Sequence, residues 1–255
     1  MDWCWYLKNR INLISNSEIK LITSLHRKKY RSSHNLFIAE GEKLINDLLD
    51  SGLKIIHFYT TKAQENSTAL YALSPVIISE RQMQKISVQK NPSGWLAVFQ
   101  QPEIKSPDQA AWIVALDDVQ DPGNMGTILR LCDWFGISDI VCSDDTVDVY
   151  NPKVVQASMG SIARVRVHYL SLEQWLSNQS RAIYGAVLDG QPLAQVKWPV
   201  QGVLLMGNEG QGIRPERARY ITNRVSITGA QGRGAESLNV AMAMGILLHQ
   251  WHINQ

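Results

Sequence analysis

The chain has 255 residues, of which 45% are hydrophobic and 19% charged, and a formal net charge of +2. These values fit a globular, soluble protein of one large or two ordinary domains and exclude a disordered or fibrous chain. No apolar run approaches ~20 residues, so a membrane span is not expected, and Asp2 within a short apolar N-terminus makes a poor signal peptide. Cys4, Cys132 and Cys142 share no CxxC spacing, which points to reduced thiols in a cytoplasmic protein, with neither a disulfide framework nor a metal site. The charge is uneven: residues 1–105 carry 14 Lys/Arg against 9 Asp/Glu, and residues 106–255 carry 11 against 14. A basic front half suits contact with a polyanion, although a merely solvated basic face gives the same count.

In chain order, residues 17–26 read as an amphipathic helix capped by Ser17, with Ile19, Leu21, Ile22 and Leu25 on one side. Lys28, Lys29, Tyr30 and Arg31 follow, next to Arg27, and group cations around one aromatic ring that could stack on a base. Strands are expected at 36–39, 55–59, 76–78 and 95–99, with helices at 43–50, 63–72 and 80–86. The proline-bearing stretch 101–109 is the best linker, which divides the chain into domains 1–105 and 106–255.

The back half also alternates. Strands are expected at 111–116, 140–142, 165–169, 181–187, 202–206 and 224–227, and helices at 126–135, 152–159, 172–178 and 214–220. Such alternation implies a parallel sheet covered on both faces, with ligands outside the C-terminal strand ends. The loops after Leu116, Met206 and Ile227 are therefore the places to look. The first, Asp121-Pro122-Gly123-Asn124, offers Asn124 as a helix cap and leads to Arg130 in an apolar setting. That arginine needs either an ion-pair partner or an anionic target. The second, Gly207-Asn208-Glu209-Gly210-Gln211-Gly212, permits close backbone approach to a ligand but is neither a Walker loop nor GxGxxG. The third runs from Gly229 through Glu236-Ser237-Leu238-Asn239 into an apolar helix, with Ser237 as the expected cap. Taken singly, each loop also reads as a tight turn with a capped core helix.

Together the three loops resemble the motifs of the SpoU (TrmH) family of the SPOUT superfamily, ribose 2′-O-methyltransferases that use S-adenosylmethionine. Asn124, Gly126 and Arg130 carry the first motif, Gly207, Asn208, Glu209, Gly210 and Gly212 the second, and Glu236 to Val240 the third. Asn151-Pro152-Lys153-Val154-Val155 and Ala157-Ser158-Met159-Gly160 also look like family stretches. The front half resembles the substrate-binding domain of many members, a small ribosomal-protein-like α/β domain, through residues 37–42 and 91–99. Gln156 stands where many relatives have arginine, and Thr228 where proline is common.

The resemblance implies an α/β SPOUT domain with a C-terminal trefoil knot and a homodimer whose sites are shared between subunits. It implies S-adenosylmethionine as cofactor, held by Met206, Gly207, Gly212, Ile227 and Leu238. Arg130, Asn124, Ser237, Asn239 and Glu209 would form the catalytic group, with Arg130 reaching into the partner's pocket. A guanidinium has a pKa above ~12, so it suits stabilising charge on the 2′-oxygen better than removing a proton. The substrate would be RNA, with 23S ribosomal RNA (guanosine) favoured over transfer RNA, and Lys28, Lys29, Tyr30 and Arg31 as its front-domain contacts. The alternatives are a tRNA-directed 2′-O-methyltransferase and a non-catalytic RNA-binding protein that keeps the fold.

Overall fold

The computed structural model describes residues 14–61, 69–108 and 111–254. They fall into two compact units, one reaching to Glu103 and including Tyr150–Ala163, the other comprising Ile104–Val149 and Arg164 onwards.

In the first unit, α1 (Asn16–Ser24) starts from a capping box, in which Ser15 Oγ accepts the Glu18 N–H at 3.1 Å and the Glu18 carboxylate accepts the Ser15 N–H at 2.9 Å. Ser15, and not Ser17, is therefore the cap, because only Ser15 has glutamate three residues on. Next come α2 (Lys28–His34), β1 (Leu36–Glu40), α3 (Glu42–Asp50), β2 (Ile55–Thr60), a 3-10 turn at Ala69–Leu73, β3 (Val76–Ile77), α4 (Glu80–Ile86) and β4 (Trp95–Gln100). Most of the helix expected at 63–72 lies outside the described residues, and its described end is the 3-10 turn. The sheet runs β1-β4-β2-β3, with β4 antiparallel to both neighbours and β3 parallel to β2. Ile22, Leu25, Tyr59, Met83, Ile86 and Leu96 fill its core.

The second unit supplies β5 (Ile113–Leu116), α5 (Pro122–Trp134) and β6 (Asp139–Cys142). The chain then gives α6 (Pro152–Ser158) to the first unit. There the Tyr150 ring lies 4.9 Å from that of Phe37, and a Cβ on Gly160 would stand 2.9 Å from Asp47 Cβ. It returns as β7 (Arg166–Tyr169), α7 (Leu172–Ser177), β8 (Ile183–Pro192), β9 (Val203–Met206), α8 (Pro215–Ala218), β10 (Asn223–Ser226) and α9 (Val240–His252). All six strands are parallel, in the order β10-β8-β9-β5-β6-β7. The central strands β5, β6 and β9 are buried along their whole length, as a sheet covered on both faces requires. Helix α9 packs on α5, where a Cβ on Gly245 would sit 3.5 Å from Leu131 Cδ2. Cys132 and Cys142 are free and buried, and burial pushes both thiols up and keeps them protonated.

Candidate active site

Strands β5 and β9 end flush, with Leu116 paired to Met206 and the Asp117 N–H donating to the Met206 carbonyl at 2.9 Å. The loops that follow β5 and β9, and the loop that runs from β10 to α9, meet beyond this edge.

Asp121 caps α5 by accepting the Asn124 N–H at 2.8 Å, with Pro122 at the first helical position. This corrects the expectation that Asn124 is the cap. Proline fixes φ and needs no N–H partner, so the helix begins there and Asn124 falls inside its first turn. Its side chain is thereby free to face the other two loops. Asn124 Nδ2 donates to Glu209 Oε1 at 2.8 Å, and Asn239 Nδ2 donates to Asn124 Oδ1 at 2.8 Å. Asn239 Oδ1 accepts the N–H groups of Ala241 (3.0 Å) and Met242 (3.3 Å), which makes Asn239 the cap of α9. Ser237, expected in that role, lies two residues too early, because the helix opens at Val240.

The amide orientations follow from the charge at one end. An ionised carboxylate only accepts, so Asn124 must turn its NH2 to Glu209 and its oxygen to Asn239. Asn239 must then donate its NH2 and keep its oxygen for the helix. One acid and two amides thus bind three loops into one relay.

Beside the relay lies a cavity of about 690 Å³, lined by Met206, Gly207, Gly212, Ile227 and Leu238, with Glu209 and Ser237 also on its wall. A Cβ on Gly207 would lie 2.1 Å from the Gly212 carbonyl carbon, so only glycine admits the loop's closure there. Gly212 takes φ +69°, and Asn208 and Gly212 exchange two backbone hydrogen bonds of 3.0 Å. Bare backbone at Gly207 and Gly212 alternating with Met206, Ile227 and Leu238 suits a ligand with an apolar body and polar heteroatoms. S-adenosylmethionine fits that description.

The SpoU rRNA Methylase family matches residues 111–249, and the MRM3-like substrate binding domain matches residues 16–97. The chain belongs to the SpoU rRNA methylase family. It is 30% identical over 245 residues to the 23S rRNA (guanosine(2553)-2′-O)-methyltransferase RlmP of Bacillus subtilis, covering 94% of this chain and 98% of that one. Among solved structures, an RNA methyltransferase of the TrmH family from Porphyromonas gingivalis superposes with TM-score 0.83 at 37% identity, over 95% of this chain and 100% of that one. The AdoMet-bound rRNA methyltransferase from Sinorhizobium meliloti gives 0.79 at 30% identity, over 93% and 95%. This SpoU chain is an RNA methyltransferase with S-adenosylmethionine as its methyl donor.

Arg130 is exposed and, among the described residues, forms no ion pair or hydrogen bond, so it is not half of a structural pair. It lies six positions beyond Asn124, which places the two about 120° apart around α5. Asn124 faces its own chain's relay, whereas Arg130 does not line its own chain's cavity. In the first unit, Lys28, Lys29 and Tyr30 are exposed, but Arg31 is 2% exposed and its Nη1 donates to the Leu25 carbonyl at 2.8 Å. Arg31 therefore closes the turn between α1 and α2 and offers little surface to RNA. Gln156 on α6 accepts from Gln89 Nε2 at 3.2 Å.

Sequence reasoning did not anticipate two ionic networks of this SpoU chain. Fully buried Asp117 binds Arg214 through the Arg214 N–H at 2.9 Å and Nε at 2.8 Å, and Arg214 Nη1 reaches Asp145 at 2.5 Å. Buried Asp139 accepts from Arg166 (2.8 and 2.6 Å) and from His168 Nε2 (2.7 Å). The available signal was an acid directly after a buried strand run, at Asp117, because a buried acid demands a cation.

Proposed function

We propose that this methyltransferase transfers the methyl group to a ribose 2′-hydroxyl of ribosomal RNA, with a guanosine of 23S rRNA as the favoured target. The observation that carries the reading is the Glu209–Asn124–Asn239 relay, which reaches the wall of a glycine-lined cavity through Glu209. Its relative in Bacillus subtilis is named for guanosine 2′-O-methylation of 23S rRNA, and the two chains align over nearly their whole lengths.

Met206, Gly207, Gly212, Ile227 and Leu238 would hold S-adenosylmethionine, which when bound supplies a methyl group on a sulfonium. The protein's own task is then to orient the hydroxyl and to carry the negative charge that develops on its oxygen. Arg130 stabilises that oxygen, while the relay fixes the loops against which the ribose lies. Ser237 on the cavity wall orients the ribose by hydrogen bonding.

The enzyme works as a homodimer in the cytoplasm, with Arg130 entering the partner's cavity. Arg130 shares a face of α5 with Trp134, four residues on and 83% exposed, and the adjoining helix α9 exposes Met242 (64%) and Ile246 (40%). An apolar surface beside a free arginine is suited to burial against a second copy. No helix of the described residues is long and apolar enough to cross a membrane. The chain beyond Met206 is read as the knotted segment, and Lys28, Lys29 and Tyr30 as RNA contacts.

The test is methyl transfer from labelled S-adenosylmethionine to separate pools of unmodified rRNA and tRNA, with Arg130→Ala in parallel. Alkali-resistant dinucleotides labelled in rRNA alone, and lost in Arg130→Ala with cofactor binding intact, are expected. Label in tRNA alone would move the substrate to the other class. Cofactor binding without label in either pool would overturn the reading of both pools as substrate.

A further inference from the structure

The relay depends on where Glu209 stands, and Glu209 sits at the tip of a loop rich in glycine. Glycine-rich loops do not hold a position by themselves. Both ends of this loop are fixed on one buried residue, Asp117, at the C-terminal end of β5.

At the near end the Asp117 N–H donates to Met206, the last residue of β9. At the far end the Asp117 carboxylate takes the backbone N–H of Arg214 at 2.9 Å, Nε at 2.8 Å and Nη2 at 2.5 Å. Arg217 Nε adds an ion-pair contact at 3.2 Å. Arg214 extends its other edge to Asp145, with Nη1 at 2.5 Å and Nη2 at 3.0 Å from the two carboxylate oxygens. Its guanidinium thus spans two acids carried by the loops after β5 and β6.

The middle of the loop is tied to the next residue. Asn208 Nδ2 donates to the Asp118 carbonyl at 2.7 Å, and Asn208 Oδ1 accepts the N–H groups of Gly210 (2.9 Å) and Gln211 (3.1 Å). Asp118 holds φ +62°, unusual for a residue with a side chain, and its N–H is held by Ser143 Oγ at 3.0 Å. Asp117, Asp145 and Arg214 are all absent from the cavity wall. They act on the site only through the loop.

We propose that Arg214, clamped between Asp117 and Asp145, is a positioning residue for methyl transfer, fixing loop 207–213 so that Glu209 meets Asn124. This rests on the reading of the Glu209–Asn124–Asn239 relay as part of the reaction machinery. The planar fork of arginine is required, because a lysine ammonium cannot face two carboxylates along two edges. The hydrogen bonds that Arg214 donates to Asp145 and then Asp117 push its guanidinium well above its ordinary value, so it remains a cation and does not exchange protons with substrate.

A double-mutant cycle tests the clamp. Single-turnover methyl transfer is measured for wild type, Arg214→Lys, Glu209→Gln and the double variant, on whichever of unmodified rRNA or tRNA wild type labels. Hydrogen exchange of residues 207–213 is followed in each protein without cofactor or RNA. Arg214→Lys is expected to slow transfer by about 10-fold or more, since small displacements at a reacting centre cost that much. It is also expected to speed exchange at Gly212, whose N–H is held by Asn208. The double variant is expected to be no slower than the slower single variant, because both lose the same placement. If the two losses multiply instead, or loop exchange is unchanged, the clamp is overturned while the relay stands. If Glu209→Gln alone transfers at the wild-type rate, the relay is overturned and the clamp's purpose with it. Should Arg214→Lys fail to fold, Asp145→Asn replaces it in the same cycle. Asp145 is 45% exposed and its removal leaves the Asp117–Arg214 pair in place.

Discussion

Asn239 gives its NH2 to the side-chain oxygen of Asn124 and its own oxygen to the first turn of α9, so one residue both starts a helix and joins two loops 115 positions apart. The two duties separate in Asn239→Asp. Aspartate caps as well as asparagine, so thermal stability is expected to stay within a few degrees of wild type. Its second oxygen, however, would face the Asn124 oxygen. If Asn124 flips in response, it presents oxygen to Glu209, and the relay breaks in either orientation. Methyl transfer should fall on the order of 100-fold, and a near-wild-type rate in a stable Asn239→Asp would show that the relay serves no purpose in the reaction.

Gly207 is confined by backbone and not by side chains. A methyl group there would stand 2.1 Å from the Gly212 carbonyl carbon and 2.3 Å from the Ile213 nitrogen. Because no rotamer can relieve that overlap, Gly207→Ala must open the Asn208–Gly212 bridge and distort the cavity wall. Calorimetric titration with S-adenosylmethionine is expected to show affinity reduced by about 10-fold or more, equivalent to about 1.4 kcal/mol. Gly234→Ala is the control: its Cβ would meet nothing within 4 Å, Gly234 is not on the cavity wall, and its affinity should match wild type.

Asp139 gives a pH prediction. Burial pushes its carboxyl up, but hydrogen bonds from Arg166 and His168 outweigh burial and hold it below the usual carboxylate value. A carboxylate depressed in the folded state adds stability that is complete above its unfolded value of about 3.9. That stability is lost as pH falls through the lower folded value. Melting temperatures should therefore drop below about pH 4, and the drop should be shallower in Asp139→Asn. At pH 7 the same substitution leaves half-exposed Arg166 and buried His168 without their carboxylate and should cost about 1–3 kcal/mol. Parallel acid profiles for the two proteins would contradict the assignment.

Much of this architecture is legible because strands in a doubly covered sheet are short apolar runs, and β5, β6 and β9 are such runs. Helix α4 follows the expected 80–86 because Ser79 and Gln82 form its capping box. The caps that sequence reasoning misplaces turn on single residues. Ser17 and Ser15 are equally good caps, and only Glu18, three residues beyond Ser15, distinguishes them. Asn124 and Asn239 are recognisable as site residues through their motifs, but the bonds that join Asn124 to Glu209 and to Asn239 are not, since they are made across 85 and 115 positions. Arg31 resembles its neighbours Lys28 and Lys29 because local sequence does not reveal which face of a seven-residue helix turns inward.

Trp134 tests the dimer. A tryptophan 83% exposed on the same helix face as Arg130 is expected to be covered by a second subunit. Trp134→Glu would place a charge in that contact, and sedimentation velocity should show a monomer with an unaltered melting profile. Methyl transfer should disappear with the dimer if Arg130 acts on the partner's site. An active monomer would overturn the reading of Arg130 as a residue of the partner's site.

Lys28, Lys29 and Arg31 are expected to part company on substitution. Lys28 and Lys29 project from α2 into solvent. Replacing both with alanine should leave the melting temperature unchanged, weaken RNA binding, and lower the slope of log affinity against log salt by about 1 for each phosphate no longer neutralised. Arg31 is buried, and its Nη1 holds the Leu25 carbonyl at 2.8 Å. Arg31→Ala should leave that carbonyl unpaired and destabilise the protein by about 1–3 kcal/mol. Its salt slope should equal that of wild type at temperatures where the variant remains folded. Titrations of both variants with labelled rRNA fragments at several salt concentrations, beside melting curves, check the pair. An Arg31→Ala protein with wild-type stability and a reduced slope would return Arg31 to the RNA-binding surface.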